Sequence, residues 1–142
     1  PTNYSIRSIQ AILRITGGAN KKAGFAFCNT GGGWSADDLA FVYNQATGNL
    51  EWDRHSTGGG TASLGVSLSL DTDYTIKVVE VRRPGATITS PQGMYLAFLN
   101  GTLVTQVEAG ANKGTLALFA RDCTCWYRDV TIWGGYYVSM PT

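Results

Sequence analysis

Residues 93–104 read GMYLAFLNGTLV, and this stretch decides the fold. Two apolar runs are joined there by Asn100 and Gly101, and an Asn-Gly pair between such runs is the strongest short-range signal of a β-hairpin. Residues 114–121 and 126–133 follow, and both are rich in the apolar and aromatic residues that strands favour. The last third of the chain is therefore predicted to be antiparallel β-structure.

A second hairpin is predicted around the turn QATG at residues 45–48. If Asn44 faces Asn49, one side of the hairpin is strongly apolar. That side carries Leu39, Phe41, Tyr43, Leu50 and Trp52. A slip of one residue would bury Glu51 and Asp53, so these two carboxylates are predicted to face solvent.

The remaining segments complete an all-β pattern. Residues 4–15 alternate, residues 23–29 are small or apolar as in a central strand, and residues 65–70 are also read as a strand. In the 93–104 hairpin, the side with Met94 and Leu96 is predicted to face the core. The spacing, without a helical pattern, predicts an antiparallel two-sheet β-sandwich of jelly-roll type, in a single domain spanning residues 1–142.

The composition restricts the function. The chain has 142 residues, 44% of them hydrophobic and 15% charged, and its formal net charge is +1. No basic stripe is available for nucleic acid, and no apolar run reaches the roughly 20 residues that a membrane span needs. The chain begins at Pro1 and is biased towards Thr, Gly, Ser and Asn, so we expect a secreted or cell-surface domain cut from a larger polypeptide.

The order of the segments resembles that of a known family. The residues that carry the resemblance are KAGFAF (22–27), GNLEW (48–52), DYTIKV (73–78), FLNG (98–101), GTLAL (114–118) and YRDVTI (127–132). Together they are similar to the concanavalin A-like lectin/glucanase superfamily, in its laminin-G-like and carbohydrate-binding-module branch. The resemblance implies a jelly roll that binds carbohydrate. The insertion at residues 82–92 and the segment CTC at 123–125 depart from the family pattern.

Glu51, Asp53 and His55 form the sharpest candidate site. Alternate residues of one strand project from one face, and the predicted neighbours across the hairpin, Ala40 and Val42, are small. Carboxylates accept hydrogen bonds from sugar hydroxyls, and an imidazole can donate or accept. If this face is the concave side of the sheet, the row would line a carbohydrate-binding groove; the alternative is a solvated edge or a convex face.

Aromatic and polar residues elsewhere complete the predicted site. Trp34 follows three glycines, and it and Trp126 could stack on the apolar face of a pyranose ring. Tyr95, Gln106 and Arg121 are predicted to project from the outward faces of neighbouring strands, where they would supply a ring, an amide and a guanidinium. Trp133 and the Tyr136-Tyr137 pair are predicted instead to pack the terminal strand.

The sequence leaves open whether the domain holds a metal and whether it forms a disulfide. The resemblance implies a structural calcium held by loop oxygens, and Asp129 stands where some relatives place a ligand. The odd number of cysteines leaves at least one thiol unpaired within the monomer. A disulfide could join Cys28 to either Cys123 or Cys125 in an oxidising compartment.

The sequence favours a non-catalytic carbohydrate-binding module over two alternatives. One alternative is a protein-interaction or structural jelly roll of the adhesion, phage or capsid type, with an exposed apolar patch or a free sheet edge. The other is a small glycosidase or lyase, in which Glu51 and Asp53 would be about 6.5–7 Å apart along the strand. Retaining hydrolysis needs about 5–5.5 Å. The sugar and the oligomeric state stay open.

Overall fold

The computed structural model describes residues 2–28, 39–54, 59–82, 93–109 and 115–140. No helix long and apolar enough to cross a membrane occurs within these ranges. The ten strands are β1 (Thr2–Gly17), β2 (Lys22–Cys28), β3 (Leu39–Asn44), β4 (Asn49–Arg54), β5 (Gly60–Ser63), β6 (Asp73–Arg82), β7 (Gly93–Leu99), β8 (Thr102–Ala109), β9 (Thr115–Arg121) and β10 (Thr124–Met140).

The strands form two antiparallel five-stranded sheets. The first, here the β1 sheet, has the order β10-β1-β6-β7-β8, and the second, the β2 sheet, has the order β5-β4-β3-β2-β9. Strands that are distant in sequence, such as β1 and β10, are neighbours in the β1 sheet. The predicted all-β, antiparallel two-sheet sandwich is confirmed.

The core lies between the two sheets. From β1 it takes Ile9, Ala11 and Leu13, each 1% exposed, as the alternation of residues 4–15 predicted. Phe25 and Phe41 face them from the β2 sheet and are fully buried. The even-numbered residues of β1 therefore point away from the core, onto what is called below the outer face of the β1 sheet.

The register of the β3–β4 hairpin is confirmed. Asn44 lies opposite Asn49, Val42 opposite Glu51, and Ala40 opposite Asp53. The strand assignment of residues 65–70 is wrong. These residues form bends and a turn, whereas Gly60–Ser63, where no strand was predicted, pairs with β4 as β5.

The β7–β8 hairpin has the predicted turn but the opposite buried face. Asn100 and Gly101 have φ of 48° and 80°, the left-handed values that a two-residue type I′ turn requires. A register shift after Ala97 inserts an extra residue on β8, so Phe98 pairs with Leu103 but Ala97 pairs with Thr105. The buried residues are Tyr95, Ala97, Leu99 and Val107, and not Met94, Leu96 and Phe98.

Two tyrosine hydroxyls connect the sheets across the core. Tyr43 in β3 donates to the carbonyl oxygen of Phe98 at 2.6 Å, beside the β7–β8 irregularity. The Tyr127 hydroxyl in β10 lies 2.9 Å from the carbonyl oxygen of Gly24 and 2.5 Å from that of Phe119. Burial raises the pKa of both hydroxyls above the usual tyrosine range, so both stay protonated and can donate.

Candidate functional site

The predicted site residues do not form one site. Glu51, Asp53 and Arg121 lie on the outer face of the β2 sheet, since their strand partners are Val42, Ala40 and Lys22. Gln106 and Trp126 lie on the outer face of the β1 sheet, on the opposite side of the sandwich. Trp34 and His55 lie outside the described residues.

Tyr95 must be removed from the predicted site. It is 1% exposed, so its placement on an outward face was wrong. Its ring packs against Phe27 at 5.1 Å and against Phe41 at 5.6 Å between ring centroids. Burying this large ring in an aromatic cluster explains why the Tyr95 side of β7 is the core side.

Glu51 is engaged by its own neighbours. Its carboxylate accepts hydrogen bonds from Lys22 Nζ at 2.7 Å and from Asn44 Nδ2 at 2.6 Å. Partial burial works to raise the pKa of Glu51, but these two hydrogen bonds and the charges of Lys22 and Arg121 outweigh it and lower the pKa. Glu51 therefore stays ionised and acts first as part of a surface ion pair, whereas Asp53 is exposed beside it.

A groove crosses the outer face of the β1 sheet where β10, β1 and β6 lie side by side. Its volume is about 400 Å³, and it is lined by Ile12, Arg14, Thr16, Asp71, Asp73, Trp126 and Arg128. Arg14 pairs with both Trp126 and Asp73 in the two ladders, which places these three side chains in one row across the strands. Trp126 is 68% exposed, the largest exposure among the large hydrophobic side chains of the described residues.

Asp73 fixes the polar part of this groove. Its carboxylate accepts from Arg14 Nε at 2.7 Å through one oxygen and from Arg128 through the other. The hydrogen bond from Arg14 lowers the pKa of Asp73 below its usual range, and the charges of both arginines add to this effect. The same hydrogen bond raises the pKa of Arg14. The groove therefore has one exposed indole beside two guanidinium groups held in place by one carboxylate.

A β-bulge in β10 brings a second tryptophan to this face. Residues 126 and 133 would lie on opposite faces of a regular strand, because they are an odd number of positions apart. The ladder shifts at Asp129, whose φ of 51° is left-handed, so that Trp126 pairs with Arg14 and Trp133 with Ser8. Trp133 is 37% exposed on this outer face, so part of its ring is accessible to a ligand.

Lys77 lies against the second tryptophan. Its Nζ is 5.5 Å from the centre of the Trp133 ring, a cation–π contact that also confirms on which face Trp133 lies. Lys77 belongs to β6, two strands from β10, and its ladder partner on β1 is Gln10. Trp133, like Trp126, is thus an indole next to a cation.

The described part of the chain contains neither a cluster of metal-binding side chains nor a disulfide. No group of three or more His, Cys, Asp or Glu side chains that could hold a metal occurs there, and the calcium role of Asp129 stays a prediction. Cys123 and Cys125 are free thiols. Burial, with the charge of Cys123 adding to it, raises the pKa of Cys125 to about 12.

Sequence reasoning missed Arg14, Asp73, Arg128, Lys77 and Trp133 as site residues. The alternation of residues 4–15 already placed Arg14 outward, so its exposure could be predicted. Its neighbours could not, because β10, β1 and β6 are far apart in sequence and meet only through the sheet order.

The comparisons with known proteins identify the fold. No protein-family model matches the chain, and no curated protein matches its sequence. The chain is similar in structure to the carbohydrate-binding module CBM66 from Bacillus subtilis, with a TM-score of 0.68 and 11% identity over 92% of this chain and 76% of that one. It is also similar to the alginate lyase AlgAT5 from polysaccharide lyase family 7, with a TM-score of 0.59 and 9% identity over 96% of this chain and 63% of that one. At these identities the likeness establishes a shared jelly-roll fold.

Proposed function

We propose that this domain binds carbohydrate without cleaving it, in the groove on the outer face of the β1 sheet. The observation that carries the proposal is Trp126, a 68% exposed indole that borders a groove with a fixed polar wall. The apolar C–H face of a sugar ring would stack on this indole. The sugar hydroxyls would exchange hydrogen bonds with Arg14, Asp73 and Arg128.

The polar wall suits neutral and acidic sugars alike. Each guanidinium has five N–H donors, and Asp73 can occupy only some of those of Arg14 and Arg128. Because Asp73 already orders both arginines, little side-chain entropy is lost when a sugar binds. Affinity for a single sugar residue should still be modest, since exposed polar contacts return little net free energy after desolvation.

The two structural neighbours support a carbohydrate ligand, because one is a carbohydrate-binding module and the other acts on a polysaccharide. A secreted or cell-surface location fits the composition and would bring the domain into contact with such polymers. Calcium at Asp129 would be structural in this proposal, since Asp129 lies on β10 and does not line the groove.

A glycan array with the wild type and two variants tests the proposal. Trp126→Ala should abolish binding, whereas Leu118→Ala, a control on the opposite sheet that is 47% exposed in the wild type, should bind as the wild type does. Circular dichroism should show the same β-structure in all three proteins. Binding by Trp126→Ala equal to that of the wild type would remove this site, and new reducing ends in bound polysaccharide would contradict a non-catalytic role.

A protein-interaction domain is a second candidate, favoured by the position of β10 at the edge of the β1 sheet as far as the structure describes it. This edge strand exposes Val130 and Ile132 by 44% and 56%, and such apolar edges pair readily with other chains. Sedimentation equilibrium separates the candidates. A concentration-independent oligomer that dissociates in Ile132→Lys would support an interface, and a monomer that binds glycans would support the first proposal.

A further inference from the structure

The two exposed tryptophans are spaced like the ends of an extended binding site. Trp126 and Trp133 pair with Arg14 and Ser8 on β1, and six residue steps separate these partners. Six steps of strand are about 20 Å, roughly the length of four linked pyranose rings. Both indoles lie on β10, so a ligand that reaches both must run along this strand.

Each row between the tryptophans contains polar or cationic residues. The row next to Trp126 contains Arg128, Ile12 and Thr75, and the row next to Trp133 contains Thr131, Gln10 and Lys77. Hydroxyl, amide and cationic groups of this kind are the partners that sugar hydroxyls and carboxylates use. The strip of the outer face that runs from Trp126 to Trp133 therefore offers polar contacts along its whole length.

The charge at the Trp133 end of the strip favours an acidic ligand. The four rows on β10, β1 and β6 contain the cations Arg14, Arg128 and Lys77 and the carboxylate Asp73, and the exposed Asp129 lies at the bulge of β10 between the two middle rows. Asp71 and Asp73 offset the two arginines at the Trp126 end, whereas Lys77 supplies the positive charge at the Trp133 end. Lys77 Nζ is 5.5 Å from the centre of the Trp133 ring. An acidic sugar stacked on this indole would bring its carboxylate close to Nζ.

From these observations we infer that the ligand is an internal segment of a linear acidic polysaccharide, about four residues long, lying along β10 from Trp126 to Trp133. The inference rests on the proposed function and adds to it the length, direction and charge of the ligand. Trp126 with its arginines is the primary subsite. Trp133 with Lys77 is a second subsite that only a longer chain reaches.

Calorimetric titration with oligosaccharides of graded length tests this inference. The probes are fragments of polygalacturonate, polymannuronate and hyaluronan, from disaccharide to octasaccharide, with fragments of cellulose and β-mannan as neutral counterparts. For an acidic series, wild-type affinity should rise about tenfold or more between disaccharide and tetrasaccharide and change little beyond the hexasaccharide. Trp133→Ala should remove this rise and leave disaccharide affinity unchanged.

Further variants distinguish the inference about the length and charge of the ligand from the proposed binding of carbohydrate. Lys77→Met keeps the aliphatic stem and removes the charge, so it should weaken long acidic probes and spare disaccharides. The control Leu118→Ala should behave as the wild type does. Affinity that is independent of length, an equal loss for short and long probes in Trp133→Ala, or a preference for the neutral series would overturn the inference. Absence of binding to every probe, or full binding by Trp126→Ala, would instead overturn the proposed function.

Discussion

Replacing Asp129 by valine should destabilise the domain, because this residue sits at the bulge that aligns the two tryptophans. Its φ of 51° is left-handed, a conformation that Asp tolerates and a β-branched side chain does not. The cost of such a conformation is about 1–2 kcal/mol. For a domain of this size, the melting temperature should fall by roughly 3–8 °C. Asp129→Gly relieves the same strain and should be neutral or slightly stabilising.

The control for this experiment is the same substitution at Asp53. Asp53 is also exposed, but it lies in the regular strand β4 opposite Ala40, where a β-branched residue is favoured. Asp53→Val should change the free energy of unfolding by no more than about 0.5 kcal/mol. Urea denaturation of the three variants measures the difference. Equal stability of Asp129→Val and Asp53→Val would refute the left-handed bulge and, with it, the common face of Trp126 and Trp133.

The calcium expectation can be tested with the same variants. If Asp129 holds a structural calcium, the wild type should melt at a higher temperature in calcium than in EDTA. Asp129→Gly keeps the backbone conformation but removes the carboxylate, so it should lose that difference. A difference that persists in Asp129→Gly would assign calcium to other residues.

Three further predictions concern the core, the thiols and the pH dependence. Tyr43→Phe removes the hydrogen bond to the Phe98 carbonyl, and the loss of one such hydrogen bond should cost about 0.5–1.5 kcal/mol in urea denaturation; no loss would exclude this cross-sheet contact. Because burial raises its pKa to about 12, Cys125 should react with iodoacetamide at pH 8 at least about a hundredfold more slowly than an unfolded control, measured by mass spectrometry. Arg14 lowers the pKa of Asp73 in the folded protein. The contribution of the Asp73 carboxylate to stability and to glycan binding should therefore be complete above the pKa of the unfolded state, about 3.9, and be lost as the pH falls through the lower pKa of the folded state. A titration in which affinity changes between pH 7 and about 5 would contradict this role of Asp73.

The hairpins show how far the sequence predicts this fold. In β3–β4 one side is apolar and the other carries Glu51 and Asp53, so only one register avoids burying charge, and that register is observed. In β7–β8 both sides are apolar, so the alternation does not show which side packs inward, and an extra residue on β8 places Val107 on the same side as Tyr95. Tyr95 was misplaced for this reason.

The candidate site could be predicted only in part, because it depends on which strands become neighbours. Trp126 was identified as a ligand-binding residue from its chemistry alone. Its partners Arg14 and Asp73 come from β1 and β6, and nothing local in the sequence places these strands beside β10. Trp133 depends in addition on the bulge at Asp129, which changes the face of residues 131–133.

The central claim is that sugar binds on the outer face of the β1 sheet, and NMR titration of the ¹⁵N-labelled domain with a bound oligosaccharide tests it most directly. We expect the largest shift changes at the indole N–H of Trp126 and at the backbone amides of Arg14, Asp73 and Arg128. The amides of Glu51 and Asp53, on the opposite sheet, should not shift. Changes concentrated at Glu51 and Asp53, with Trp126 unaffected, would contradict the account and move the site to the other face of the sandwich.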